Sequence, residues 1–374
     1  MNVLAVTKSR IRNYPSLITV LAMLLPNSEA MARETDPLFQ SESLLDITLR
    51  GSLLKLSDLR DRDMDYGPAQ LSYKNSEGKV QTFNVKLTPR GNKRLSKGSC
   101  KFPPIKIAFK KAETSNTIFS KIKKMKLVTQ CHPESKKYEY YLLTEYLAYK
   151  ALNILSEKSY GARLSRISYI DNTTEKTLHT SYGFFIEPSK RVAKRIESKK
   201  IDVEETSAKF LEGSHLNLVS LFQMMIGNTD WSATHGGANE CCHNGKLFGK
   251  TDAEDNLYIP YDFDMTGLVN PEYAAVDKAL KLTSIRERRY RGYCRNLEFL
   301  DDNISLLNLK QAEIYTLFEN SPYLTKRRNR INHRYIEKFY GLINNPKRVK
   351  RKIYGRCHQS IIVDVAKEPG RISV

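Results

Sequence analysis

Ile226-Gly-Asn-Thr-Asp-Trp-Ser232, Cys241-Cys-His-Asn-Gly-Lys-Leu247 and Tyr258-Ile-Pro-Tyr-Asp-Phe-Asp-Met-Thr-Gly267 follow one another in the middle of the chain. The segment before them, Leu216 to Ile226, is apolar nearly all round, the pattern of a helix buried in a core. Two short apolar segments, Lys246–Phe248 and Leu257–Ile259, flank the polar turn Thr251-Asp-Ala-Glu-Asp-Asn256 and read as a hairpin. The order is therefore buried helix, acidic loop, hairpin, acidic strand end. It sets Asp230, Asp262 and Asp264 at the ends of elements in a chain whose formal net charge is +20. Carboxylates so placed are candidates for holding metal or moving protons.

Outward toward the N-terminus, alternation at Phe83/Val85/Leu87, Ile105/Ile107/Phe109 and Met125/Leu127 predicts a β-rich first section, broken at Asn75-Ser-Glu-Gly78 and Arg90-Gly-Asn92. A helix is expected from about Lys136 to Leu155, with Tyr138, Leu142, Tyr149 and Leu152 on one face. Glu145 falls within that stripe. Buried, it needs a cationic partner; on a helix edge, it reaches water, and the two readings weigh equally. Lys106 and Lys126 each alternate with apolar strand residues, and either could pair with Glu145 and bind phosphate oxygens; strand lysines are otherwise solvent-facing. Arg90-Gly-Asn-Lys93 is a tight basic turn, and Glu187 closes the strand Tyr182–Ile186. Ser189 to Glu205 is expected to be a mobile connection, followed by helices at about Ile304–Glu319 and Arg330–Ile343.

The first residues read as an address label: Lys8, Arg10 and Arg12, the apolar run Leu17–Leu25, then Pro26 and Ser28-Glu-Ala30. A signal peptide over 1–32 and export to the periplasm or beyond the cell are the expectation, since the run is too short for a spanning helix. Export makes the six cysteines candidates for disulfides, and their spacing fits no paired Cys-x-x-Cys zinc site. Cys100 with Cys131 and Cys294 with Cys357 are the pairings favoured, among connectivities the sequence leaves open. With 374 residues, 40% of them hydrophobic, and no later membrane-length apolar run, the mature chain is expected to be globular and soluble, not an integral membrane protein. The charge favours polyanions without choosing among them. The basic runs Lys190–Arg195, Lys326–Arg330 and Lys347–Lys352 lack aromatics spaced for base stacking, so nucleic acid is disfavoured and solvated helix faces are the plainer reading.

Buried helix, acidic loop, hairpin and acidic strand end is the order that kinases use. Phosphoryl transfer asks for hard oxygen ligands to a divalent ion and a carboxylate that orients the attacking hydroxyl. Asp230 is the candidate loop acid, Asn244 or Asn239 the loop metal ligand, and Asp262 the principal metal carboxylate with Asp264 helping. Lys106, Lys126, Glu145, Arg90 and Glu187 are candidates around a nucleotide. Taken singly, each polar residue also reads as a cap or turn residue. No Gly-x-Gly-x-x-Gly loop exists, which argues against an ordinary protein kinase.

Arg90-Gly-Asn92, Cys100-Lys-Phe-Pro-Pro-Ile-Lys106, Lys124-Met-Lys-Leu-Val-Thr129, Asn228-Thr-Asp-Trp231 and Ile259-Pro-Tyr-Asp-Phe-Asp264 resemble the CotH-type atypical kinases of bacteria. The resemblance runs over roughly 45–360 and implies an α+β, two-lobed protein-kinase-like fold. It also implies ATP with Mg²⁺ or Mn²⁺, phosphorylation of an exported protein or other envelope hydroxyl, Asp230 as loop acid and Asp262 as metal-binding acid. The Cys-Cys-His-Asn insertion and the basic C-terminal part depart from the spore-coat members. The expected organisation is a β-rich part with one main helix over 33–190, a helical part with loop and hairpin over 191–360, and a tail over 361–374. Two rivals stand beside it: a non-catalytic adaptor binding an anionic surface polymer or lipid, and a metal-dependent nuclease using His235, His243, Asn244 and the acids.

Overall fold

The computed structural model describes residues 36–237, 241–250, 254–276 and 278–359. The expected signal peptide, the tail and Asn239 lie outside them. The fold class is mixed α+β. Alternating apolar residues form seven strands, β1 (Leu45–Gly51), β2 (Ala69–Lys74), β3 (Val80–Pro89), β4 (Ile105–Phe109), β5 (Lys124–Thr129), β6 (Ala162–Asp171) and β7 (Thr177–Ile186). They close in the order β1-β2-β3-β4-β5-β7-β6. Closure comes from a parallel pairing of β1 with β6, running from Leu45 opposite Ser165 to Gly51 opposite Asp171. A closed barrel is not the usual N-terminal lobe of a protein kinase. The first part is β-rich as expected; its closure was not, because periodicity reports which residues face inward, not which strands join at the seam. The interior holds Leu49, Leu71, Ile107, Leu127, Ile167 and Phe185, and is plugged by Phe119, whose ring meets Tyr73, Phe83 and Phe109. Each aliphatic side chain fully withdrawn from water contributes roughly 1.5–3 kcal/mol.

Between β1 and β2 lies α1 (Leu53–Leu59), and between β5 and β6 lies α2 (Lys136–Leu155), which begins and ends where its periodicity predicts. Its burial is broader than one stripe. From Tyr140 to Tyr149 every residue is buried, because the helix lies against β7 on one side and against helices of the second half on another. That settles the setting of Glu145, which is 2% exposed.

The stretch expected to be a mobile connection is ordered as α3 (Ser189–Arg195) and β8 (Lys199–Ile201). Val192 is fully buried, Arg191 bonds Asp36 and Arg195 bonds Glu187, so neutralising partners replace the expected solvation at these two arginines, while Lys190 and Lys194 are exposed. The expected boundary at 190–191 falls inside α3. Then come α4 (Gly213–Ile226), the hairpin β9 (Gly245–Gly249) and β10 (Leu257–Pro260), α5 (Leu300–Leu309), α6 (Gln311–Glu319), α7 (Lys326–Ile343) and α8 (Pro346–Lys352). The strands β8, β9 and β10 make a second sheet in the order β10-β9-β8. One helix was expected over 304–319; two form, with Lys310 ending α5 and beginning α6. Disulfides join Cys100 to Cys131, Cys294 to Cys357, and the neighbours Cys241 and Cys242. Among the described residues no helix is long and apolar enough to cross a membrane.

Candidate functional site

α4 ends at Gly227, whose positive φ of 67° turns the chain, and a Cβ there would meet the Tyr335 hydroxyl at 2.1 Å. The loop that follows is braced from within: the Asn228 side-chain oxygen accepts from the Asp230 N–H (2.9 Å), while its amide donates to Gln223 (2.9 Å). The Asp230 carboxylate is then held from the hairpin. Nε2 of His243 lies 2.8 Å from Oδ1, and Nδ2 of Asn244 donates to Oδ2 (3.1 Å) and to the Asp230 carbonyl (2.7 Å). The His243 backbone exchanges both hydrogen bonds with Ser232, fixing the imidazole beside the loop. His243 holds the Asp230 carboxyl below its ordinary range against the opposing effect of burial. Reciprocally, Asp230 raises the imidazole.

A second group forms where β10 ends. Asp262 has a left-handed φ of 66° and its N–H donates to the Tyr149 hydroxyl on α2 (2.9 Å). Asp264 is ion-paired with Arg94 and accepts from the Tyr273 hydroxyl (3.1 Å). The same guanidinium reaches Glu145 at 3.4 Å, whose other oxygen, Oε1, is buried with no hydrogen-bond partner. Burial, reinforced by Asp264 and Asp262 against the opposing pull of Arg94, pushes Glu145 up to about 8. Asp262 is raised by burial and Asp264, with Arg94, Arg90 and Lys126 pulling the other way. Burial works against the Arg94 charge, but Asp264, Tyr273 and Glu145 outweigh it and hold its pKa high.

The third group faces a pocket of about 180 Å³ lined by Lys106, Lys126, Tyr160, Ile186, Glu187 and Tyr261. Lys106 and Lys126 stand directly opposite each other across β4 and β5. Nζ of Lys126 lies 4.6 Å from the centre of the Tyr261 ring. Protein crowding, then Arg90, push Lys126 down to about 8 although its side chain still reaches solvent. Burial lowers Arg90, and Asp262 opposes it.

Two of the roles expected for these side chains differ from the geometry. The partner of Glu145 is Arg94, not Lys106 or Lys126. The Glu187 carboxylate is committed to Arg195 (2.8 and 3.1 Å) and to the Gly161 N–H (2.9 Å), so it lines the pocket as a scaffold residue. The groups carrying Asp230 and Asp262 meet at the base of one hairpin. The Tyr261 N–H donates to the Asn244 carbonyl (2.9 Å), Asn244 holds Asp230, and Asp262 follows Tyr261. Among the described residues no three His, Cys, Asp or Glu side chains converge to hold a metal ion; His235 turns instead to the Thr234 hydroxyl (2.7 Å). Motif spacing did not single out Arg94 or Tyr273, and periodicity placed Tyr149 on the α2 stripe without giving it a part in the site.

No family model matches the chain, and no curated protein matches it. Among solved structures, the crystal structure of a Helicobacter pylori proinflammatory kinase, CtkA, aligns over 75% of this chain and 92% of its own, at 10% identity and a TM-score of 0.32. A likeness at that level carries no argument about function.

Proposed function

We propose that the chain is an exported, atypical kinase-like phosphotransferase, with two lobes meeting at the hairpin base, that moves phosphate from ATP to a protein or other envelope hydroxyl. The observation that carries the reading is that Asp230, braced by His243 and Asn244 in the loop after α4, and Asp262, just past the end of β10, are linked through Asn244 and Tyr261 at one hairpin base, beside a lysine-lined pocket. The donor set fits a divalent ion bound through phosphate: Mg²⁺ takes one or two carboxylates and leaves the remaining positions to phosphate oxygens and water. An ion there would answer two features: burial and Asp264 raise Asp262, and the buried Glu145 Oε1 has no hydrogen-bond partner.

ATP with Mg²⁺ or Mn²⁺ would supply the transferable phosphoryl group. Asp262, with Asp264 beside it, would hold the ion; Asn244 spends its amide on Asp230 and so acts on that acid first. Lys106, Lys126 and Arg90 would meet phosphate oxygens, and Tyr160, Ile186 and Tyr261 would wall the base. Asp230 would orient the acceptor hydroxyl and take its proton, with His243 and Asn244 fixing which oxygen faces it. One observation favours the rival reading of a non-catalytic adaptor: Arg94 already neutralises Asp264. Labelled ATP with Mg²⁺ or Mn²⁺ and the full chain separates the two. Transfer or autophosphorylation is expected, lost by at least about a hundredfold in Asp230→Asn with nucleotide-induced thermal stabilisation retained. Asp262→Asn is expected to lose both. Nucleotide stabilisation without turnover under either metal supports the adaptor, and a metal-dependent response unchanged in Asp262→Asn overturns the site.

A further inference from the structure

We infer that the outer face of α7, continued by α8, is a docking surface for a negatively charged lipid bilayer, independent of the proposed chemistry. On α7, Arg327, Arg330, Arg334 and Lys338 recur at spacings of three, four and four, so their side chains share one arc. The opposite arc carries Asn332, Tyr335, Ile336, Phe339 and Ile343, all buried. All four cations are exposed, and among the described residues none makes an ion pair or hydrogen bond through its side chain. Their inward neighbour Arg328 behaves differently and lies over the Tyr140 ring at 4.2 Å. Gly341 falls on the same outer arc, and a Cβ there would meet nothing within 4 Å, so the face is open at its C-terminal end too. The four cations span about 16 Å of helix axis.

The run continues in α8, where Lys347, Arg348, Lys350, Arg351 and Lys352 are exposed while Val349 and Ile353 pack inward. A structural pair network does not need so many cations with a single acid, Glu337, interspersed on the exposed side of α7. What selects a bilayer over a soluble polyanion is the apolar tips at its edge. Leu309 is 76% exposed and follows Asn308, whose side chain exchanges hydrogen bonds with Asn344 at the end of α7 (2.8 and 3.0 Å). Tyr354, 48% exposed, follows α8. Leucine and tyrosine beside a cationic helix enter the headgroup boundary, where each Lys or Arg adds an attraction that salt screens. The α7 arc carries no aromatic ring on which a nucleobase could stack.

The test is co-sedimentation of the full chain with phosphatidylcholine vesicles, with and without phosphatidylglycerol. Binding is expected to need phosphatidylglycerol and to fall with added salt. R327Q/R330Q/R334Q/K338Q should weaken it by about a hundredfold, K347Q/R348Q/K350Q/R351Q should weaken it comparably, and Leu309→Ser by about fivefold. All nine positions are exposed, so both cation sets and the leucine can change without opening the core, and an unaltered circular dichroism melt checks this. Equal binding to neutral vesicles, or binding unchanged in both cation variants, overturns the inference. So does a Leu309→Ser protein that binds vesicles like the parent while dextran sulfate competes fully, since that outcome assigns the face to a soluble polymer.

Discussion

Glu145 is buried in a helix and shares one guanidinium with Asp264. Its folded value, about 8, lies above the ordinary 4.5, so ionising it costs native stability that grows as pH rises from about 4.5 toward 8. Replacing it by Gln removes that penalty, and Arg94 keeps Asp264. Glu145→Gln is therefore expected to melt progressively higher than the parent between pH 5 and 8, while losing nucleotide-induced stabilisation; a constant deficit across that range counts against this account. His243 runs the other way. Its value is raised, so its attraction to Asp230 is complete below the ordinary 6.5 and lost as pH climbs through the folded value. Melting curves from pH 5 to 9 should show the parent losing a small margin over His243→Gln on the alkaline side, and the acid limb of any transfer activity should move in the variant. The positions of Asp230, Asp262 and Asp264 were legible because turn and strand-end chemistry is local. Arg94, Tyr149 and Tyr273 were not, since each matters through a neighbour that only the tertiary fold supplies.

Strand β7 shows how narrow the barrel wall is. A Cβ at Gly183 would stand 2.7 Å from Cδ1 of Ile167 and 2.9 Å from the Val128 carbonyl, on strands to either side. Gly183→Ala is expected to destabilise by about 1–3 kcal/mol, read as a lowered denaturant midpoint with an unchanged slope. Elements with strong periodicity were legible, α2 and β4 to the residue, whereas β3, β5 and β7 were read only in part and β1 and β2 only as a β-rich stretch. The charged stretch holding α3 and β8 was not, because its helix is anchored by ion pairs to Asp36 and Glu187, partners that carry no periodic signature. The break at Lys310 was equally hidden, since apolar spacing continues from Ile304 to Phe318 across it.

Over the whole molecule, the Cys294–Cys357 bridge spans 63 residues and ties the segment before α5 to the one after α8. Closing a loop of that length constrains the unfolded chain by up to ~4 kcal/mol, so C294S/C357S is expected to melt several degrees lower, with vesicle binding retained if α7 still packs. Global architecture was the least legible level. An α+β chain could be read from alternating strands and later helices, but the seam pairs Leu45 with Ser165, and nothing local announces a partner so far along the chain. That seam also sets the order of events at synthesis. The first strand emerges from the ribosome well over a hundred residues before its second neighbour, so until β6 is made the nascent sheet exposes a bare edge able to recruit any stray strand. On the proposed export, translocation of an unfolded chain would defer completion of the wall to the far side and spare the cell that hazard.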